Sequence, residues 1–185
     1  MEDSEIVALY WQRDERAIAE TDGKYGPFCR AMARNLLGSP EDAEECVSDT
    51  WMEAWNSMPE ERPELLRPWL GRVLRMNAID RWRKNRRQKR FGGVEDLVLE
   101  LEDCVPATSD GPQQALEASE LGELLRRWLD GLGREDRRLF LRRYWYGDGV
   151  SALAKDLGWG ESRVKTALHR LRKGLREHLE KEGWL

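Results

Sequence analysis

The chain has 185 residues, of which 40 % are hydrophobic and 36 % charged, and its net charge is −4. This length and apolar content suffice for one globular domain or two small ones, and they exclude a disordered chain. The sequence contains no apolar run of about 18 residues, which excludes a membrane-spanning helix. The acidic start, MEDSEI, is unlike a secretory signal, so we expect a cytoplasmic protein.

Cysteine and histidine are too scattered to indicate a metal site. Cys29, Cys46 and Cys104 lie far apart, and the two histidines are His169 and His178. We therefore expect the cysteines to be small buried hydrophobes in a reducing compartment. The sequence contains no plausible catalytic triad and no phosphate-binding glycine loop. It predicts a protein without catalytic residues, metal or cofactor.

Charge is distributed unevenly along the chain. The net charge is −10 over residues 1–66, +9 over 67–90, −8 over 91–135 and +5 over 136–185. The acidic total therefore conceals two basic segments that are separated by acidic ones. This pattern is typical of a protein that contacts nucleic acid at two places.

Apolar residues recur at helical spacing through the first acidic segment, where Gly23, Gly26 and Pro27 indicate a break or a bend. The run SPED at residues 39–42 predicts a helix start, with a Ser cap, Pro in the first turn and acids behind it. The inward positions of this helix are Ala43, Cys46, Val47, Thr50, Trp51, Ala54 and Trp55. Its outer positions form a strongly acidic face made of Glu44, Glu45, Ser48, Asp49 and Glu53.

The basic segment that follows Pro59, Pro63 and Pro68 is predicted to form an amphipathic helix. One face suits a core and carries Trp69, Leu70, Val73, Leu74 and Ala78. The other face carries Arg72, Arg75, Ile79, Trp82, Arg83 and Arg86, so we expect Trp82 to lie outside the core. Guanidinium groups beside an aromatic ring suit phosphates and unstacked bases. A solvated helix end is the alternative.

The chain after Arg90 divides into a linker and a second helical part. Periodicity weakens over residues 91–114, which we interpret as an acidic, partly disordered linker. Helical patterns resume at residue 115, and no strand pattern is long enough to support a sheet. The sequence thus predicts an all-α fold of two small helical domains, residues 1–90 and 115–185, joined by an acidic linker.

A helix-turn-helix pattern occupies the end of the chain. Apolar stripes over residues 150–157 and 164–175 flank Gly158-Trp159-Gly160, and a helix that ends on a left-handed residue favours glycine. The outward positions of the second helix are Arg163, Lys165, Thr166, His169, Arg170, Arg172 and Lys173. Side chains of these types reach phosphates and base edges in a major groove. A basic helical hairpin without a role in DNA binding is the alternative.

Two motif sets resemble the extracytoplasmic-function sigma factors of bacterial RNA polymerase. Residues 145–172, with Leu153-Ala154, Leu157-Gly158 and the run VKTALHRLR, look like region 4 of that family. The earlier set is similar to region 2 and comprises the matches in residues 42–55, then Trp69-Leu70, Arg75, Ile79-Asp80 and Arg83. The order of the two sets along the chain is also that of the family.

The resemblance implies contacts with RNA polymerase core and promoter DNA. The acidic helix of region 2 docks on the clamp of the largest polymerase subunit, and the corresponding residues here are Glu45, Ser48, Asp49 and Trp51. The next helix faces the opened minus-ten element, and the corresponding residues are Arg72, Arg75, Asn77, Trp82, Arg83, Lys84, Arg86 and Arg87. The loop at residues 56–67 would capture a flipped base. Region 4 would read the minus-thirty-five element with the outward residues of the second helix. An anti-sigma factor is a further partner that such proteins often have.

Three positions depart from the family pattern. Met76 stands where asparagine is usual, with Asn77 one position later; Ser48 replaces a common glutamine, and Ala152 a common glutamate. None of these departures is expected to change the fold, but the family's promoter preference and the details of its core binding are not carried over to this chain. Two other functions stay open at this point: a stand-alone helix-turn-helix regulator, and an adaptor whose basic faces bind an acidic protein.

Overall fold

The structure is a computed structural model that describes residues 1–85, 92–101 and 114–185. Within these ranges the chain forms nine α-helices and no strand. It divides into two compact units, Met1–Glu95 and Asp96–Leu185. The predicted all-α fold is therefore confirmed.

The first unit is built from four helices. These are α1 (Asp3–Trp11), α2 (Arg16–Leu37), α3 (Pro40–Glu61) and α4 (Leu66–Asn85). Helices α2, α3 and α4 pack against one another, and α1 packs on α2 and α3. Their shared core includes Leu36 of α2, Met58 of α3 and Leu70 of α4, each fully buried.

The start of α3 follows the sequence prediction. The Ser39 hydroxyl accepts a hydrogen bond of 3.2 Å from the backbone N–H of Asp42, and Pro40 occupies the first helical position. Ser39 thereby satisfies one of the backbone donors that a helix start leaves unpaired. Upstream, α2 runs without interruption through Pro27.

The prediction of a loop at residues 56–67 is wrong for most of these residues. Helix α3 continues through Pro59 to Glu61, and α4 begins at Leu66. A proline cannot donate to the carbonyl four residues earlier, which would leave the Trp55 carbonyl without its helical partner. The side chain of Arg13 supplies a substitute donor, with Nη1 2.6 Å from that carbonyl oxygen. The Trp55 carbonyl therefore has a hydrogen-bond donor although the helix continues through the proline.

The short turn after α3 holds α4 in place. Arg62 ends α3 with a positive φ of 45° and stacks its guanidinium 3.5 Å from the ring centroid of Trp11. The carboxylate of Asp3 accepts a 3.0 Å hydrogen bond from the backbone N–H of Leu66, at the start of α4. Tyr25 and Lys24 donate to the other oxygen of Asp3, at 2.6 and 2.7 Å. Asp3 therefore joins α1, α2 and the first turn of α4.

The second unit contains the predicted helix-turn-helix. Its helices are α6 (Gln114–Gly131), α7 (Arg134–Tyr144), α8 (Val150–Leu157) and α9 (Glu161–Lys181), and α9 packs on the other three. Gly158 ends α8 in the left-handed conformation with a φ of 64°, as the sequence predicts. Leu153, Leu168 and Leu175 are buried in the core between α8 and α9.

Part of the predicted linker is helical. Helix α5 (Gly92–Leu101) lies within residues 91–114, and its side chain Leu97 is buried. Glu100 accepts hydrogen bonds from Arg143 at 2.5 Å and from the Tyr144 hydroxyl at 2.8 Å, which attaches the end of α5 to α7. The rest of that segment, residues 91 and 102–113, lies outside the described residues.

Two of the three cysteines are in the described part of the chain and are buried thiols, as predicted. Burial raises the pKa of both Cys29 and Cys46 to about 12. Neither is therefore a nucleophile at neutral pH. Cys104 lies outside the described residues. Among the described helices none is both long and apolar enough to cross a membrane.

Candidate functional surfaces

Two members of the predicted acidic face of α3, Glu45 and Asp49, lie on one stripe of the helix with the half-buried Asp42, at spacings of three and four residues. Arg81 of α4 reaches into this face. Its Nη1 is 2.5 Å from Oε2 of Glu45 and 3.8 Å from Oδ1 of Asp42, and its Nη2 is 2.8 Å from Oδ2 of Asp49. The sequence prediction did not include Arg81. A helical wheel shows the face that a residue occupies but not the helix opposite it.

The four predicted polymerase-binding residues do not share one environment. Glu45, Ser48 and Asp49 are exposed on α3, whereas Trp51 is half-buried. The Ser48 hydroxyl donates to the backbone carbonyl of Glu44 at 3.1 Å. The structure thus brings three of these residues together on one accessible surface and places Trp51 at its inner margin.

The exposed side of α4 carries arginines that pair with nearby acids. Arg72 lies 2.8 Å from Glu61 at the end of α3, and the same carboxylate oxygen accepts a 2.7 Å hydrogen bond from the indole of Trp69. Arg83 lies 3.6 Å from Asp80 one turn earlier. Lys84, a further cation of the predicted set, is exposed. Arg86 and Arg87 lie outside the described residues.

The expectation that Trp82 lies outside the core is wrong. Its side chain is 9 % exposed and belongs to the buried set of the first unit. The reason is its position on α4, since Trp82 continues the stripe of Leu70, Leu74 and Ala78 at intervals of four residues. The spacing was visible in the sequence and predicted burial more directly than the neighbouring arginines predicted exposure.

Two further residues of the predicted minus-ten set are partly withdrawn from solvent. Arg75 is half-buried, and burial lowers the pKa of its guanidinium to about 10. The side-chain amide of Asn77 donates to the hydroxyl of the buried Thr50 at 3.4 Å, which ties α4 to α3. Met76, between them, is 57 % exposed. The side chain on the surface at this point of α4 is therefore the methionine.

Helix α9 presents to solvent most of the residues that are predicted to contact DNA. The exposed members are Arg163, Lys165, Thr166, His169, Arg170 and Lys173. The guanidinium of Arg163 stacks 3.9 Å from the ring centroid of Trp159, and Arg170 forms a 2.8 Å ion pair with Asp136 of α7. Lys173 lies 3.8 Å from Glu177 one turn later. These side chains are held along one face of the helix.

A groove of about 630 Å³ separates the start of α7 from the start of α9. Its lining includes three arginines (Arg134, Arg163 and Arg170), two acids (Glu135 and Asp136), Thr166 and Trp159. A concave surface with several guanidinium groups attracts phosphate oxygens. The structure therefore places the basic residues of the helix-turn-helix around a space that an anionic backbone can approach.

The prediction that Arg172 faces outward is wrong. Its side chain is 23 % exposed, donates a 2.7 Å hydrogen bond to the Tyr144 hydroxyl and lies 3.5 Å from Glu100. The reason is again helical geometry, because Arg172 lies next to the buried stripe of Leu168 and Leu175. Its side chain extends along that boundary toward α7 and α5.

No group of three or more His, Cys, Asp or Glu side chains suited to a metal ion occurs among residues 1–85, 92–101 and 114–185. The described surfaces instead carry charged side chains that suit partners of opposite charge. One carboxylate face on α3, one basic face on α4 and one basic face on α9 are presented on two compact units.

Comparison with known proteins identifies the family. Residues 23–88 match the family model of sigma-70 region 2, and residues 62–181 match that of the ECF sigma factors. The chain belongs to the ECF sigma factor family. It is a sigma factor of DNA-templated transcription initiation, and the match to region 2, upstream of the helix-turn-helix, argues against a stand-alone regulator.

Individual relatives share about a third of the aligned residues or less. The ECF RNA polymerase sigma factor SigL of Mycobacterium tuberculosis is 31 % identical over 154 residues, which cover 82 % of each chain. SigE of Mycolicibacterium smegmatis is 29 % identical over 82 % of this chain, and the alignment spans 57 % of SigE. The solved structure of CnrH in complex with the cytosolic domain of CnrY has a TM-score of 0.45, 20 % identity and 97 % coverage of both chains.

Proposed function

We propose that this sigma factor docks on core RNA polymerase through the acidic face of α3 and contacts promoter DNA through α4 and α9. The observation that carries the proposal is the separation of charge by helix. Helix α3 contains no Lys or Arg and exposes Glu44, Glu45, Asp49 and Glu53, whereas six of the twelve exposed residues of α9 are Lys or Arg and three are acidic. A carboxylate face suits a basic protein partner, and guanidinium and ammonium groups suit phosphates.

The proposed DNA contact of α4 depends on its exposed side chains. Arg72, Arg83 and Lys84 can approach a strand backbone, and the thioether of Met76 can contact a base that has left the stack. Trp82 packs within the unit and supports this surface from behind. We expect α4 to prefer opened DNA, because unstacked bases present the apolar faces that a duplex conceals.

The proposed contact of α9 is with duplex DNA of the minus-thirty-five element. Lys165, Thr166 and His169 lie near the start of the helix and are exposed, where a recognition helix meets base edges and phosphates. Arg163 and Arg170 flank them at the groove beside α7. Two separate DNA contacts on two units suit a factor that reads two promoter elements.

A binding assay with core polymerase tests the α3 assignment. Reversal of Glu45 and Asp49 to Lys is expected to weaken the complex, because the face would lose its complementarity to a basic partner. The matched control reverses Glu15 and Glu20, which are exposed on or beside α2 and give the same change in net charge. Equal affinities of the two double variants would remove the α3 face from the interface.

The remaining elements of the proposal concern setting and partners. We expect the protein to act in the cytoplasm, where core polymerase and promoter DNA occur, and to act by binding rather than by catalysing a reaction. An anti-sigma factor is a further expected partner.

A further inference from the structure

We infer that Arg81 is the positioning residue of the polymerase-binding face: it holds Glu45 and Asp49 in the arrangement that a basic partner meets. This inference rests on the proposed docking of core polymerase on α3. It adds a residue from α4 to a function that the sequence assigns to α3 alone. The two helices then contribute jointly to one protein-binding surface.

The contact geometry fixes the two carboxylates relative to each other. One guanidinium nitrogen of Arg81 contacts Glu45 and the other contacts Asp49, at 2.5 and 2.8 Å. These nitrogens belong to one planar, rigid group, whose directions of hydrogen bonding are set by its geometry. A lysine ammonium, by contrast, is a compact point charge with three rotatable donors on a flexible stem, so it holds two carboxylates in a less defined arrangement. The Arg81 side chain therefore sets both the distance and the orientation of the pair.

Exposure separates the roles of the cation and the anions. The Arg81 side chain is 19 % exposed, whereas those of Glu45 and Asp49 are 67 % and 58 % exposed. Arg81 contacts Oε2 of Glu45 and Oδ2 of Asp49, and a carboxylate has two oxygens that can each accept more than one hydrogen bond. Both acids can consequently bind Arg81 on one side and a partner's donor on the other.

The net negative charge of Asp42, Glu45 and Asp49 allows these acids to bind both Arg81 and a basic partner. Asp42, Glu45 and Asp49 supply three carboxylates to one guanidinium. The cluster thus stays anionic and attracts a basic surface. Without Arg81, three like charges on neighbouring turns would repel one another and their side chains would occupy more rotamers.

Two roles of Arg81 predict opposite effects on affinity. A cation that merely competes with the partner would weaken docking, so its removal would tighten the complex. A positioning residue saves the partner the cost of ordering two side chains, so its removal would loosen the complex. For two side chains this ordering corresponds to roughly a tenfold change in Kd. Affinity for core polymerase therefore distinguishes the two roles by its direction.

The experiment compares Arg81→Met, Arg81→Lys and the control Arg16→Met in the full chain, with core polymerase as the ligand. Arg16 is exposed on α2 and pairs with Asp14. We expect Arg81→Met to weaken binding about tenfold, Arg81→Lys to weaken it by a similar factor although it keeps the charge, and Arg16→Met to leave it unchanged. Circular dichroism checks that each variant keeps its helices.

A double-mutant cycle separates positioning from a loss of folding. If Arg81 acts through the acids, Arg81→Met will have little further effect in a Glu45→Gln, Asp49→Asn background. Unchanged or tighter binding by Arg81→Met, wild-type binding by Arg81→Lys, or full additivity in the cycle would each overturn the inference. Failure of the Glu45 and Asp49 reversal to weaken binding would instead contradict the proposed docking itself, whatever Arg81 does.

Discussion

Arg172 of α9 donates a 2.7 Å hydrogen bond to the hydroxyl of Tyr144 in α7. Burial raises the pKa of Tyr144, so the hydroxyl stays protonated and donates in turn to Glu100, 2.8 Å away. Arg172 thus belongs to a polar network inside the second unit rather than to the surface that we propose for DNA binding. The exposed cations of α9 lie on the adjacent face.

Replacement of Arg172 by Ala is therefore expected to reduce stability more than DNA binding. The variant removes the hydrogen bond that Arg172 donates to Tyr144, and we expect the free energy of unfolding to fall by about 1–3 kcal/mol. Urea unfolding followed by circular dichroism measures this loss. The salt dependence of promoter binding should keep its slope; a slope reduced by about one unit at unchanged stability would return Arg172 to the DNA interface.

Replacement of Lys165 is expected to have the opposite effect, a loss of DNA binding without a loss of stability. This exposed residue near the start of α9 has no part in the core, so Lys165→Ala should leave the unfolding transition within about 0.5 kcal/mol of the wild type. It should lower the slope of log K against log salt by about one unit if it contacts a phosphate. Lys181→Ala, in the last turn of the same helix, is the matched control. Equal slopes for the two variants would place Lys165 outside the interface.

Asp3 makes the first unit sensitive to acid. Burial by itself would raise the pKa of this carboxyl, but hydrogen bonds from Lys24, Tyr25 and the Leu66 N–H outweigh it and hold the pKa below its ordinary value of 3.8. The stabilisation is therefore complete above that value and is lost as pH falls through the lower pKa of the folded state.

Asp3→Asn is expected to cost about 1–3 kcal/mol at neutral pH, because the amide cannot accept the same three hydrogen bonds as an anion. The difference in free energy of unfolding between wild type and variant should shrink as pH falls below about 4. Urea unfolding at several pH values measures this difference. A difference in free energy of unfolding that stays constant down to about pH 2 would show that the charge of the Asp3 carboxylate does not stabilise the fold.

Two glycine substitutions should change stability in opposite directions. Gly158 has a φ of 64°, so Gly158→Ala forces a side chain into the left-handed region and should destabilise the helix-turn-helix by about 1 kcal/mol. Gly122 lies exposed within α6, and a methyl group added there would meet no atom within 4 Å, so Gly122→Ala should stabilise by about 0.5–1 kcal/mol. Thermal unfolding of both variants tests this contrast. A stabilising Gly158→Ala would contradict the left-handed turn.

Local features of the fold were predictable because local chemistry determines them. Ser39 caps a helix wherever its hydroxyl precedes free backbone N–H groups, and Gly158 ends a helix because it tolerates a positive φ. Trp82 shows a different limit. Its predicted position on the basic face was wrong, because its spacing of four residues from Ala78 places it on the buried stripe of α4.

Residues whose partners lie far along the chain could not be assigned from sequence. Asn77 contacts Thr50, and Arg81 contacts Glu45, across separations of 27 and 36 residues. Which exposed position of α4 faces α3 depends on the crossing of the two helices, which periodicity does not determine. The acidic and basic faces were therefore predictable, whereas the contact between them was not.

A run-off transcription assay shows whether the protein and core polymerase together initiate transcription through the proposed surfaces. Purified protein and core polymerase are combined with a genomic DNA library, and discrete transcripts are sought with and without each component. We expect specific transcripts only when both proteins are present, and their loss with the Glu45→Lys, Asp49→Lys variant but not with the Glu15→Lys, Glu20→Lys control. Tight sequence-specific binding to duplex DNA by the protein alone, without any core-dependent transcript, would contradict the proposed function.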